Sequence, residues 1–111
     1  MSKRPKRAAG ATPCHPVEDV CACARDGAVL FSRIAERDRL NLDYSFKKAC
    51  EVIAQLTVES WKRTVEYKGT LPLDVYSIAH AHSSGSVDPL YIKLRITASG
   101  KVRVESFHRD R

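Results

Sequence analysis

The sequence predicts an α+β fold in which N-terminal helices pack on one face of a C-terminal antiparallel β-sheet. Apolar residues recur at helical spacing in the first 60 residues, and from Trp61 onward they alternate with polar residues, as in half-buried strands. Loops rich in glycine and serine, such as residues 82–86, separate the alternating runs. With 111 residues and 43% hydrophobic content, the chain is long enough to bury one core.

The first helix is predicted just after residue 15. Pro16 suits a first helical position, apolar residues follow at intervals of three and four, and Gly27 is a stop signal. The short apolar stretch 28–31 is interpreted as a link or a strand.

Two further helices are predicted before residue 60. Ser32 is expected to cap a brief helix through about Arg39, and either Asp43 or Ser45 is expected to cap the next. The third helix presents an apolar stripe that should face the core, formed by Phe46, Ala49, Cys50, Ile53 and Leu56.

The second half of the chain predicts a meander of four strands, over residues 61–67, 72–80, 90–97 and 102–107. The last two should form a hairpin, because a short turn ending at Gly100 joins them. One face of this hairpin is apolar, while the other carries lysines, arginines and Tyr91. A surface of that kind is typical of phosphate binding.

The net charge of +6 is unevenly distributed along the chain. Residues 1–11 and residues 90–111 carry +4 each, and the segments between them nearly cancel. Residues 1–12 are interpreted as a flexible basic tail and residues 13–111 as a single domain. The distribution favours a polyanionic partner, most simply a nucleic acid; the alternative is that the positive charge serves only solubility.

No apolar run approaches the ~18 residues of a membrane span, and the basic start lacks the apolar stretch of a signal peptide. We therefore expect a soluble, cytoplasmic protein. The chain has four cysteines, but Cys21 and Cys23 would point in different directions on a helix and chelate poorly. We expect no metal and no cofactor, and cysteines that remain thiols in a reducing compartment.

The order and spacing of several short motifs resemble the MqsR toxins, which are sequence-specific mRNA interferases with a RelE-like fold. The motifs are Trp61-Lys62-Arg63-Thr64-x-x-Tyr67, Leu73-Asp74-Val75-Tyr76, Leu90-Tyr91-Ile92-Lys93 and Ser106-Phe107-His108. The similarity covers nearly all of the chain after the tail. It implies a ribosome-independent endoribonuclease of a type II toxin–antitoxin system, with mRNA as substrate and a DNA-binding antitoxin as protein partner.

The resemblance also implies site residues. The family's strand-borne lysine corresponds to Lys62, and its Tyr-hydrophobe-Lys motif corresponds to Tyr91 and Lys93. The chain departs from the family at two positions: Leu73 stands where the family has an active-site glutamine, and His108 stands where it has a catalytic lysine. The loop between Tyr76 and Tyr91 is also longer than in the family.

Metal-free RNA cleavage requires a base for the 2′-hydroxyl proton, cations around the phosphate and an acid for the leaving oxygen. The predicted catalytic residues are Lys62, Tyr91, Lys93 and His108. The predicted RNA-binding residues are Trp61, Arg63, Arg95, Arg103 and Arg109. Two alternatives remain open: the cationic residues are a solvated sheet face, or the chain is a non-catalytic module that binds nucleic acid or protein.

Overall fold

The computed structural model describes residues 12–110, so the predicted tail lies outside the described residues apart from Thr12. The helices are α1 (Val17–Arg25), α2 (Arg33–Asn41) and α3 (Phe46–Ile53), followed by a 3₁₀ turn over Val58–Ser60. The strands are β1 (Val29–Phe31), β2 (Trp61–Val65), β3 (Leu73–Ala81), β4 (Val87–Ile96) and β5 (Val102–Arg109). The fold is α+β, as the sequence predicts.

The sheet has the order β1-β5-β4-β3-β2. The predicted meander corresponds to β2 through β5, which pair antiparallel. The prediction of a purely antiparallel sheet was wrong, because the apolar stretch after Gly27 forms β1 and pairs parallel with β5. β1 has only three residues, and a pattern of that length in the sequence does not distinguish a strand from a link.

Serine caps start two of the helices. The Ser32 side chain accepts a hydrogen bond from the Ala35 amide at the start of α2, and Ser45 accepts one from the Lys48 amide at the start of α3. Of the two caps considered for α3, Ser45 is therefore the one used. Pro16 lies just before α1 with an extended ψ of 131°, so it precedes the helix and is not its first residue.

The core lies between the helices and one face of the sheet. It contains alternate residues of β4, namely Leu90, Ile92 and Leu94, together with Val102, Val104 and Phe107 of β5. The register of β5 shifts opposite Lys93 and Leu94. Because of this shift the even-numbered Val102 and Val104 and the odd-numbered Phe107 all face the core. From the helices the core receives the predicted stripe of α3, except that Phe46 is 42% exposed.

The opposite face of the sheet, which we call the outer face, is partly covered by the segment after β2. Leu73 and Val75 are buried on this face, outside the helix-packed core. Among the described residues, no helix is long and apolar enough to cross a membrane.

Candidate nucleic-acid interface

The outer face collects side chains from four strands in register. Arg63 on β2 pairs with Val75, which pairs with Lys93 on β4, which pairs with Ser106 on β5. Two residues before Lys93 on β4, Tyr91 lies between Ser77 of β3 and His108 of β5. Two residues after Lys93, Arg95 pairs with Arg103 of β5. The structure therefore brings together Arg63, Tyr91, Lys93, Arg95, Arg103 and His108 of the predicted site.

A groove of about 550 Å³ crosses this face beside Lys93. Its lining consists of Lys93, Arg95, Glu105 and Ser106 from β4 and β5, together with Leu73 and residues Tyr67, Gly69, Thr70 and Leu71. The Lys93 ammonium donates a hydrogen bond of 2.7 Å to the Tyr67 hydroxyl and lies 4.8 Å from the centre of that ring. The groove therefore combines an exposed aromatic ring with two cations, which is the chemistry that binds a nucleotide.

The two arginines beside the groove differ in their pairing. Arg103 forms an ion pair with Glu105, with 2.6 Å between the guanidinium and the carboxylate. Arg95 and Lys93 have no acidic partner within residues 12–110. Their charge is therefore available to a phosphate, whereas that of Arg103 is largely compensated.

Tyr91 and His108 form a stacked pair at the end of the outer face. Their ring centres are 4.9 Å apart and their planes are inclined by 10°. The His108 Nδ1 lies 2.8 Å from the Arg109 carbonyl oxygen. Because a carbonyl only accepts, Nδ1 carries the proton in this hydrogen bond, and Nε2 is the acceptor in the neutral ring.

Three predicted site residues lie apart from this group. Trp61 is half-buried and packs against the core on the helix side. Lys62 is the extra residue where the register of β2 shifts, and β3 separates its strand from Lys93, which places their backbones about 10 Å apart. Arg109 pairs with Leu90, whose side chain faces the core, and its guanidinium contacts Asp88.

The Leu-Asp-Val-Tyr motif has a mainly structural role in this fold. Asp74 is fully buried and accepts hydrogen bonds from the amides of Cys14 and His15 and from the Thr64 hydroxyl. Leu73 lines the groove. An apolar side chain there can contact a base or sugar but cannot hydrogen-bond it.

A second polar cluster, which the sequence analysis missed, lies at the end of the sheet on the helix side. We call it the histidine cluster; its members are Tyr44, Lys48, His80, His82, Asp88 and Arg109. The Tyr44 hydroxyl lies 2.9 Å from His80 Nδ1 and donates to Asp88 at 2.9 Å. Asp88 also contacts His82 at 2.6 Å and Arg109 at 2.6 Å.

The environment of the cluster shifts three of its pKa values. Burial, together with the neighbouring His82 and the Lys48 ammonium, lowers the pKa of His80. The hydrogen bond from His82, followed by that from Tyr44, lowers the pKa of Asp88. Burial and the neighbouring Asp88 raise the pKa of Tyr44 well above its usual value. Asp88 is therefore ionised and Tyr44 protonated at neutral pH.

A local signal for part of this cluster exists in the sequence. His80 and Asp88 face each other across the β3–β4 hairpin, and His82 follows His80 by two residues, the spacing of one strand face. Tyr44 and Lys48 come from a distant part of the chain, and nothing local predicts their arrival. Within residues 12–110, no three His, Cys, Asp or Glu side chains are arranged to hold a metal ion.

Comparison with known proteins adds no assignment. No protein-family model matches the chain, and a search of curated proteins finds no match.

Proposed function

We propose that the protein binds single-stranded RNA on its outer face and cleaves it as a metal-independent endoribonuclease. The observation that carries the proposal is the groove in which Lys93 and Arg95, without acidic partners in the described chain, lie beside the Tyr67 ring. The resemblance of the motifs around Lys62, Lys93 and His108 to the MqsR toxins supports RNA as the substrate.

Binding in this proposal is mainly electrostatic. Lys93 and Arg95 contact backbone phosphates, and Arg63, in the same row as Lys93, extends the cationic strip toward β2. Tyr67 and the Tyr91–His108 pair offer aromatic rings against which bases can stack. This arrangement tolerates different sequences, because stacking and phosphate contacts do not read base edges.

Cleavage in this proposal proceeds by attack of the ribose 2′-hydroxyl on the adjacent phosphorus. Lys93 stabilises the charge that develops on the phosphate oxygens. Tyr91 lies beside Lys93 on the outer face, two residues earlier on β4. His108 Nε2 is the outer-face candidate for proton transfer, because its Nδ1 is held by the Arg109 carbonyl. Lys62 lies on the far side of β3 and would contact the RNA at a different phosphate.

A protein partner also belongs to this proposal. The partner is an antitoxin that binds the protein and silences the enzyme. An acidic segment of this antitoxin would be attracted to the cationic outer face.

A second candidate function, a non-catalytic RNA-binding module, is favoured by one observation. Leu73 lines the groove at the position of the family's glutamine, so one polar contact to the reacting nucleotide is lost. The two candidates differ in one measurable property, which is strand scission.

The test is incubation of the purified protein with end-labelled RNA in EDTA, followed by analysis of the product ends. We expect fragments with a 2′,3′-cyclic phosphate and a 5′-hydroxyl, and loss of cleavage in Lys93→Ala. Products with 5′-phosphates would indicate a metal-dependent mechanism. Intact RNA that is nevertheless retained by the protein would support the binding module instead.

A further inference from the structure

The histidine cluster has one consistent set of hydrogen-bond directions. Asp88 is ionised and only accepts, so the Tyr44 hydroxyl gives it its single hydrogen. The Tyr44 oxygen therefore accepts from His80, whose proton must lie on Nδ1. Lys48 only donates, so His82 accepts on Nδ1 at 3.0 Å and donates from Nε2 to Asp88.

These directions leave one basic atom of the cluster without a partner. His80 Nε2 has no hydrogen bond within residues 12–110, and it is not among the buried unpaired atoms of this part of the chain. It therefore reaches solvent with its lone pair available. The opposite ring nitrogen is fixed through Tyr44 to Asp88, which holds the imidazole in one tautomer and one orientation.

His108, the outer-face candidate, is held less firmly. Its only side-chain hydrogen bond within the described residues goes to the carbonyl of the next residue, near the end of the strand. β1 pairs with β5 from Val102 to Val104, so within residues 12–110 the strand has only β4 as a neighbour at His108. Hydrogen bonds through Tyr44 to the Asp88 carboxylate orient His80, so His80 is better oriented as a base than His108.

We propose that His80 is the catalytic base that removes the 2′-hydroxyl proton, with Tyr44 and Asp88 as its positioning residues. The inference rests on the proposed RNA cleavage and moves the scissile phosphate of that reaction to the histidine cluster, while Lys93 holds a phosphate further along the RNA. His80 lies three residues beyond Ser77 along β3, about 10 Å from the Tyr91–His108 row and about 17 Å from the row of Lys93, and its side chain faces the helix side of the sheet. The RNA would therefore continue from the outer face over the end of the sheet to reach it.

His80 Nε2 takes the 2′-hydroxyl proton, the 2′-oxygen electron pair forms the bond to phosphorus, and the bond from phosphorus to the 5′-oxygen breaks with its electron pair. The 5′-oxygen takes a proton from water, and the His80 imidazolium returns its proton to the hydroxide that forms. Lys48 uses one hydrogen on His82 and has two left for a phosphate oxygen.

Several titratable groups face His80 and affect its titration. They are His82 from the hairpin, Lys48 and Glu51 from α3, and Asp88 from β4. Burial and the first two of these groups lower the pKa of His80, so the base is already neutral at pH 7. The cleavage rate should therefore rise with pH below about 6.5 and then level off.

The experiment compares His80→Asn with Ser84→Ala in single-turnover cleavage of RNA. The asparagine amide can still donate to Tyr44 but has no basic nitrogen. Ser84 is an exposed residue of the same hairpin, and its side chain forms a hydrogen bond with that of Ser86. We expect His80→Asn to lose about 10²- to 10⁴-fold in rate and the acid limb of the pH profile, while its unfolding at pH 7 matches the wild type, and we expect Ser84→Ala to match the wild type in all three.

A second variant tests the positioning role. Tyr44→Phe keeps the ring but removes the hydroxyl between His80 and Asp88, so the rate should fall and the acid limb should move. If the wild type cleaves RNA and His80→Asn cleaves equally well with the same pH profile, the inference is overturned and the proposed function stands. If the wild type binds RNA without cleaving it, both the proposed cleavage and the inference fail.

Discussion

Tyr91 and His108, directly opposite each other on β4 and β5, stack with only 10° between their ring planes. The pair links the two strands beyond the part of β5 that pairs with β1, which is Val102 to Val104. Aromatic pairs of this kind contribute about 0.5–1.5 kcal/mol beyond the area they bury.

We therefore predict a measurable coupling between Tyr91 and His108. A double-mutant cycle with Tyr91→Ala and His108→Ala, followed by urea unfolding, should give a coupling free energy of about 1 kcal/mol. His108→Phe should retain most of it, because it preserves the stack. Additive single-variant effects would show that the two rings are neighbours without a stabilising interaction.

The second prediction concerns RNA affinity on the outer face. Lys93→Ala and Arg95→Ala should each weaken binding of single-stranded RNA and lower the salt slope of log K by about 0.7, because each removes one phosphate contact. The measurement is a titration at several salt concentrations. Arg25→Ala is the matched control, since Arg25 is an exposed cation at the end of α1, on the opposite side of the sheet.

A complementary variant lacks residues 1–11, which carry four of the chain's basic residues. We expect this truncation to reduce affinity less than Lys93→Ala does, since Lys93 lines the groove of the outer face. Loss of binding on truncation, with Lys93→Ala unaffected, would contradict the assignment of the interface.

The third prediction concerns Asp74, a buried carboxylate that accepts from two amides and one hydroxyl. Asp74→Ala should lower the free energy of unfolding by about 3 kcal/mol, because it leaves three donors without their acceptor in a buried setting. Asp74→Asn should cost less, since it keeps one acceptor oxygen. Denaturant unfolding measures both; a change below about 0.5 kcal/mol would show that water replaces the carboxylate.

These residues also show what the sequence could and could not predict. The period of two placed Tyr91, Lys93 and Arg95 on one face correctly, because alternation along a strand is a local property. The bulge in β5 was not predicted, since its parity shift depends on how β4 and β5 pair. The histidine cluster was missed for a similar reason: Tyr44 reaches His80, and Lys48 reaches His82, only through packing of α3 and the residues before it on the sheet.

Trp61 illustrates a different limit. Its place in an alternating cationic run suggested an exposed, RNA-contacting ring, but in the fold it packs against the core. The register shift between Trp61 and Arg63 turns it to the helix side while Arg63 faces outward. Periodicity alone cannot detect a shift of one residue, although such a shift exchanges the two faces of a strand.

The last prediction concerns how the free energy of unfolding depends on pH. His80 and Asp88 should each contribute to this dependence in a different pH range. The pKa of His80 is lowered from its ordinary value of 6.5, so below that pH the unfolded chain binds more protons than the folded one. The free energy of unfolding should consequently rise with pH up to about 6.5 and lose this His80 contribution as the pH falls.

Asp88 acts in a lower window, because its pKa is lowered from 3.8. Its stabilising effect is complete above that value and is lost as the pH falls through the folded-state pKa. Urea unfolding from pH 3 to pH 8 should therefore give a smaller change between pH 5 and pH 7 in His80→Asn than in the wild type. Asp88→Asn should remove the change at the acid end. An identical slope between pH 5 and pH 7 in wild type and His80→Asn would show that the imidazole titrates alike in the folded and unfolded chains, contrary to its place in the histidine cluster.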